Sequence, residues 1–287
     1  MKKYAVIDVG SNSVRLMLVA NGKVLYKRLG TTRLGEGLAS SSRLKTEAIE
    51  RTANATHAFY QTAKNDGAEA VYAFATAAVR SAENGGEFIE KVKTLCGLEV
   101  EVVSGDKEAE IGITGALGIG DGAVLDMGGA SCELVVKTGG KLIYKKSVNI
   151  GVVRLKDECG RDKTKLINAA IRAAEEYGAT PEIKTVHAIG GTATTLAALT
   201  LGLTEYSGER VTGARITLKE MQEIADKLLN MPIEEIERLP CMPVGRADVI
   251  AGGAVALATI MQRLGVEKLI VSDRDNLEGY AIEKGIL

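Results

Sequence analysis

The alternation of apolar and polar positions is clearest at the start of the chain. Residues 2–9, 13–20 and 23–29 are apolar-rich runs separated by the turns GSN and NGK, so three successive meandering strands are predicted. Residues 46–65 then take up helical spacing, with Thr46 as the expected N-cap. EAVYAFAT (69–76) reads as a strand, and EFIEKVKTL (87–95) as a helix from its i, i+3/i+4 apolar positions. LEVEVVS (98–104) is a further strand, followed by a helix over about 106–117. The pattern then restarts. GAVLDM, SCELVVKT and KLIYKKSVN (141–149) predict a second meander, with helices over roughly 152–158 and 164–178 behind it. TVHAIG (185–190) is a strand running into a helix that opens GTATTLAAL. Thr217 and Glu220 have capping-box spacing at the head of a helix near 217–229. A small-residue-rich helix over about 245–264, a strand KLIVS (268–272) and a closing helix over about 275–285 complete the pattern. The Pro-rich stretch 232–243 reads as a connection.

Three strands followed by alternating helices and strands, done twice, describe two α/β domains of one kind, expected over 1–120 and 121–287. The ligand cleft of such a pair lies between the halves, and the closing helix (275–287) is expected to pack back on the first domain. A repeated motif supports the duplication. Residues 7–13 read IDVGSNS and residues 125–131 read LDMGGAS, so Asp8 matches Asp126, Gly10 matches Gly128 and Ser13 matches Ser131. One such stretch is an ordinary β-turn; two in the same strand context point to a shared ligand. The glycines allow close backbone approach, and turn N–H groups with a Ser hydroxyl can hold phosphate oxygens. An aspartate ending the first strand can hold Mg²⁺. A third element, AIGGTATT (188–195), places Gly190, Gly191 and Thr192 at a helix N-terminus, an anion site by dipole and geometry. Together these elements form a phosphate clamp that fits a kinase, an ATPase or a phosphatase.

Composition narrows the field. With 46% apolar and 25% charged residues the chain has ample core material, and its few aromatics leave that core to aliphatic side chains. A net charge of −1 argues against a general nucleic-acid binder, so positive potential must be local, with Arg15, Arg33 and Arg154 as candidates. Two histidines disfavour a His-rich metal site. Cys96, Cys132, Cys159 and Cys241 are scattered, without a C-x-x-C, and read as reduced thiols; Cys132 adjoins the second turn. The start lacks the apolar length of a signal peptide, and no run approaches 18 uninterrupted apolar residues, so a cytoplasmic location without membrane contact is expected. Arg80 in ATAAVRSAENG (75–85) and Glu108 and Glu110 in VVSGDKEAEIG (102–112) sit near helix starts, where solvated surface charge is the ordinary reading.

In this order the elements resemble the exopolyphosphatase/guanosine pentaphosphate phosphohydrolase (Ppx/GppA) family. The matching pieces are DVGSNSVRLML (8–18), TTRLGEGL (31–38), ATAAVRSAENG, EVVSGDKEAE (101–110), LDMGGASCELV (125–135), IGVVRL (150–155), IGGTATTLAAL (189–199), GRADVIAGGAVAL (245–257) and VSDRDNLEG (271–279). The resemblance implies two duplicated actin-like domains of the ribonuclease H-like, sugar kinase–actin–Hsp70 superfamily, with the active site in the interdomain cleft. It implies hydrolysis of a terminal phosphoanhydride of inorganic polyphosphate or guanosine pentaphosphate with Mg²⁺ (or Mn²⁺), and a homodimer. On the matching positions, the catalytic carboxylate falls on Glu108, and Arg80 neutralises charge on the transferred group. Asp126, Glu133 and Asp8 would lie in the metal sphere. Gly10, Ser11, Asn12, Ser13, Gly128, Gly129, Ala130, Ser131, Gly190, Gly191 and Thr192 would form the phosphate-binding set.

Three positions depart from the family pattern. Glu110 and Leu277 stand where arginines are usual, and Ala130 replaces the third glycine of the second turn. The C-terminal HD-type extension of the long members is absent from this sequence. Two lost positive charges and the short form point toward short chains or a nucleotide-type substrate. Two alternatives remain open on the same scaffold: a small-molecule kinase, and a non-hydrolysing binder or sensor of polyphosphate or (p)ppGpp.

Overall fold

The computed structural model describes residues 2–287. Strands β1 (Lys3–Val9), β2 (Ser13–Ala20) and β3 (Lys23–Thr31) form the first meander. Helices α1 (Leu38–Ser41) and α2 (Thr46–Asn65), strand β4 (Ala68–Ala75), helices α3 (Ala77–Ser81) and α4 (Gly85–Cys96), strand β5 (Val100–Val102) and helix α5 (Gly105–Leu117) follow. The second meander is β6 (Gly122–Met127), β7 (Cys132–Thr138) and β8 (Lys141–Val148). After it come α6 (Val152–Cys159), α7 (Lys163–Glu176), β9 (Thr185–Ile189), α8 (Gly190–Thr200), α9 (Gly208–Val211), β10 (Arg215–Thr217) and α10 (Leu218–Asn230). The chain ends with α11 (Ile233–Glu237), α12 (Ala247–Leu264), β11 (Lys268–Val271) and α13 (Asn276–Glu283).

Among the described residues the strands form two sheets, ordered β3-β2-β1-β4-β5 and β8-β7-β6-β9-β11-β10. The five strands of the first order match β8-β7-β6-β9-β11 of the second, which adds β10 at its edge. In each, the first strand pairs antiparallel with the second and parallel with the fourth. This is the duplicated α/β architecture expected from the sequence.

Strand β1 shows why the opening run is almost continuously apolar. Its Ala5, Ile7 and Val9 enter a core with Leu16, Leu18, Ile49 and Phe88, while Val6 faces the opposite side with Met17, Phe74, Ile111, Leu277 and Tyr280. A strand buried on both faces loses the polar half of its alternation. Helix α12, among the described residues the one long and apolar enough to cross a membrane, is 78% buried and packs in the second half's core.

Local signals fared unevenly. The Thr217–Glu220 capping box is present in both directions at the head of α10. Thr46 is not an N-cap: Lys45 takes that position without a side-chain bond, and Thr46 is the first helical residue. The strand expected over 98–104 shortens to Val100–Val102, because Ser104 caps α5 by accepting from the Lys107 N–H at 3.1 Å. The Pro-rich connection contains the short helix α11.

Helices α5 and α13 cross closely between the two sheets, and glycine makes the crossing possible. A Cβ on Gly279 would run into the Ile111 carbonyl, and one on Gly115 into the Asp275 carbonyl. Backbone cannot move aside as a side chain can. Gly279→Ala is therefore expected to cost about 2–3 kcal/mol, the upper range for overpacking. Urea denaturation of the variant checks this.

Candidate active site

The two repeated turns fold alike and meet. In the first, the Gly10 N–H donates to the Ser13 carbonyl at 3.0 Å; in the second, the Gly128 N–H donates to the Ser131 carbonyl, also at 3.0 Å. A Cβ on Gly129 would lie 2.7 Å from the Ser11 Cβ and 3.0 Å from the Asn12 nitrogen, so only glycine lets the turns touch. Between them lies a cavity of about 90 Å³. Its wall includes Asp8, Gly10, Ser11, Asn12, Ser13, Glu108, Asp126, Gly128, Gly129, Ala130, Ser131, Gly190, Gly191 and Thr192. Of the residues expected at the site, Arg80 and Glu133 lie just behind this wall. Thr192 donates its hydroxyl to the Met127 carbonyl at 2.9 Å, which ties α8 to β6.

Cross-strand register makes the two turns electrostatically unlike. Asp8 is opposite Arg15, whereas Asp126 is opposite Glu133. Arg15 donates Nε to Asp8 Oδ2 at 3.0 Å and also pairs with Asp275, which neutralises the first turn. The second turn sets half-buried Asp126 beside buried Glu133, and among the described residues no lysine or arginine is bonded to either. Burial first, and then Asp275 and Glu108, pushes Asp126 up to about 7. Burial and then Asp126 does the same to Glu133. Glu133 accepts a hydrogen bond from Ser147 Oγ at 2.6 Å. Such a pair is a ready partner for a divalent cation. Asp8 Oδ1 is buried without a hydrogen-bond partner on the same cavity, a further acceptor for a hydrated ion. Among the described residues no three His, Cys, Asp or Glu side chains form a complete metal-binding group, so a cation held here would need water or ligand oxygens to complete its coordination.

Glu108 sits in the first turn of α5, where its capped helix start delivers it to the cavity wall. It is buried, and burial followed by Glu133 pushes its carboxyl up to about 8. Arg80, at the end of α3, opposes that shift. Its Nη1 donates to Glu108 Oε2 at 2.9 Å and to the Val103 carbonyl at 2.9 Å. Arg80 thus reaches the glutamate from behind and fixes where it points.

Arg246 was not legible as a site residue from its motif, GRAD. It is buried beside Gly191, donates to the Gly191 carbonyl at 2.7 Å and to Thr195 Oγ1 at 2.9 Å, and pairs with no carboxylate. Burial lowers its guanidinium to about 10. A buried guanidinium on this cavity wall with no carboxylate partner among the described residues is chemically suited to hold an anion. Arg33 instead pairs with Asp248 at 2.8 Å, and Arg154 with Glu158 at 3.6 Å. Glu110 is half-buried and pairs with Lys145 at 3.0 Å, and Leu277 is buried in the inter-sheet core. Burial lifts the Cys132 thiol well above its ordinary value, leaving it unreactive.

The model of the Ppx/GppA phosphatase family matches residues 6–284. The chain belongs to that family. It is 30% identical to exopolyphosphatase 2 of Mycobacterium tuberculosis, over 98% of each chain. Among solved structures, the Aquifex aeolicus member of the Ppx/GppA family is 29% identical, covering 99% of this chain and 97% of its own, with a TM-score of 0.79. An exopolyphosphatase-like protein is 27% identical over 99% of this chain and 98% of its own, with a TM-score of 0.91. Membership makes the fold that of a phosphatase family along its whole length.

The raised carboxylates have a consequence for stability. Acids whose folded-state pKa lies above the unfolded value hold protons that the unfolded chain releases, so stability falls as pH rises toward and through the folded pKa. For this Ppx/GppA protein the folded values are about 7 for Asp126 and Glu133 and about 8 for Glu108. Without divalent cations, Tm is expected to fall between about pH 4, the unfolded value of these acids, and about pH 8, their highest folded value, and Mg²⁺ is expected to restore it more at the alkaline end. Differential scanning calorimetry with and without Mg²⁺ checks both signs.

Proposed function

We propose that this Ppx/GppA protein is a Mg²⁺-dependent phosphohydrolase that releases orthophosphate from the end of inorganic polyphosphate. The observation that carries the reading is Glu108: a buried carboxylate, held by Arg80, on the wall of a cavity built from two phosphate-binding turns. With a pKa near the working pH it is matched to take a proton from water. The water oxygen bonds to the terminal phosphorus as the P–O bond to the chain breaks, and the bridging oxygen keeps that electron pair. N–H groups of Ser11, Asn12, Gly129 and Ala130 would hold the phosphate oxygens, and Arg246 would neutralise negative charge at the α8 end. Asp126 and Glu133 would hold Mg²⁺, with Asp8 Oδ1 toward its water shell. When bound, Mg²⁺ would supply charge neutralisation across the anhydride oxygens. Arg80 would position Glu108.

A specific feature favours guanosine pentaphosphate as a second substrate. A pocket of about 400 Å³ adjoins the phosphate cavity and shares Arg15, Gly190, Gly191 and Arg246 with it. Its remaining wall includes Leu29, Tyr206, Met242, Pro243 and Leu277, an apolar surface suited to a nucleoside. A phosphate-release assay over short polyphosphate, long polyphosphate and guanosine pentaphosphate, with and without Mg²⁺, tests both readings. Mg²⁺-dependent release without any added acceptor is expected. Release only with a hydroxyl acceptor would select a kinase, and tight binding without release a sensor.

A further inference from the structure

Asn276 occupies the first residue of α13. It is buried on the wall of the phosphate cavity. Its Nδ2 donates to Asp126 Oδ2 at 3.3 Å. The other end of the amide turns toward α5, where a Cβ on Gly112 would fall 2.8 Å from Asn276 Oδ1. Reversing the amide would set its oxygen against the Asp126 carboxylate, so the donor must face Asp126. Gly112 lies one helical turn beyond Glu108 on α5. Asn276 therefore fills the gap between the helix that carries the water-activating carboxylate and the strand that carries Asp126. Its neighbours confirm that the segment is fixed: the Asp275–Glu278 capping box closes the helix start, and Asp275 pairs with Arg15.

We infer that Asn276 is a positioning residue that orients Asp126 toward the cation and sets its distance from Glu108, acting through the space that Gly112 leaves. The inference rests on the proposed phosphohydrolase reading for its kinetic consequence only. A carboxylate with one oxygen engaged by an amide donor presents the other in a fixed direction. Hydrogen-bonded partners of ligating groups are worth about 10–100-fold in metal affinity or activity. An apolar isostere at 276 would fit the surrounding core but leave Asp126 free to turn.

The test compares wild type, Asn276→Leu, Asn276→Asp and Gly112→Ala by two readouts. The first is the Mg²⁺ concentration giving half-maximal thermal stabilisation without substrate. The second is the split between kcat and KM for phosphate release. Asn276→Leu is expected to raise the Mg²⁺ midpoint by about 10-fold or more, and to lower kcat by a similar factor with KM within about 2-fold. Gly112→Ala, which touches no reacting atom, is expected to shift both in the same direction by displacing the amide. Asn276→Asp separates the two roles of the amide. If Asn276 donates to Asp126, the new carboxylate fails to restore kcat; if Asn276 is itself a cation ligand, Asn276→Asp matches or tightens the wild-type midpoint and overturns the inference. A midpoint within about 2-fold of wild type in a folded Asn276→Leu protein overturns it too, as does a wild type that shows no Mg²⁺ stabilisation. A wild type that binds Mg²⁺ but releases no phosphate sinks the proposed function and leaves this inference to the midpoints alone.

Discussion

Glu108→Gln is expected to lower phosphate release by about 100- to 10,000-fold, the range that a positioned general base contributes. The substitution keeps the shape of the side chain and an oxygen that Arg80 can reach, so the cavity wall should survive. What it removes is the site that accepts the proton of the attacking water. Substrate affinity should hold or improve, because one negative charge leaves a cavity meant for polyanions. Single-turnover kinetics with an independent binding measurement would separate the two effects. Turnover within a few-fold of wild type would remove Glu108 from its role.

Asp126→Asn is expected to move stability and activity in opposite directions. The like-charge pair with buried Glu133 is cross-strand, with Asp126 half-buried, so the protein without a divalent cation carries a repulsion that an amide relieves. The variant's Tm at alkaline pH should rise above wild type, while its response to Mg²⁺ should shrink. Turnover should drop by about 100-fold or more, since losing a ligand forfeits cation stabilisation of the transition state worth several kcal/mol. A destabilised variant with unchanged Mg²⁺ response would contradict the assignment. Strain held at a functional site for the sake of activity is a familiar trade.

Much of this arrangement was legible in the sequence because it is local. The turns at 10–13 and 128–131 need glycine and serine at fixed offsets, and they adopt the same hydrogen bond in the folded chain. The duplicated strand order followed from a hydrophobic pattern that restarts near residue 122. The unlike partners of the two aspartates were also readable, since hairpin register places position 15 opposite position 8, and 133 opposite 126. What escaped was set by contacts between distant segments. Arg246 gains its meaning from having no carboxylate partner when buried, a property no local pattern records. Asn276 matters because Gly112, far away in sequence, leaves it room. Arg80, expected to neutralise charge on the transferred group, bonds in the folded chain to Glu108 and the Val103 carbonyl, contacts that no local pattern records. Thr46 failed as a cap because Lys45 already occupies the non-helical position, and β10 is too short for alternation to register.

The central claim is that the cleft delivers a terminal phosphoryl group to water under the direction of Glu108. Turnover of polyphosphate by the wild-type protein in oxygen-18 water, followed by mass spectrometry of the product, tests it most directly. One heavy oxygen in each released orthophosphate is the predicted result, together with its loss in Glu108→Gln. Orthophosphate without the label, or phosphoryl transfer to another acceptor in its place, would contradict the account.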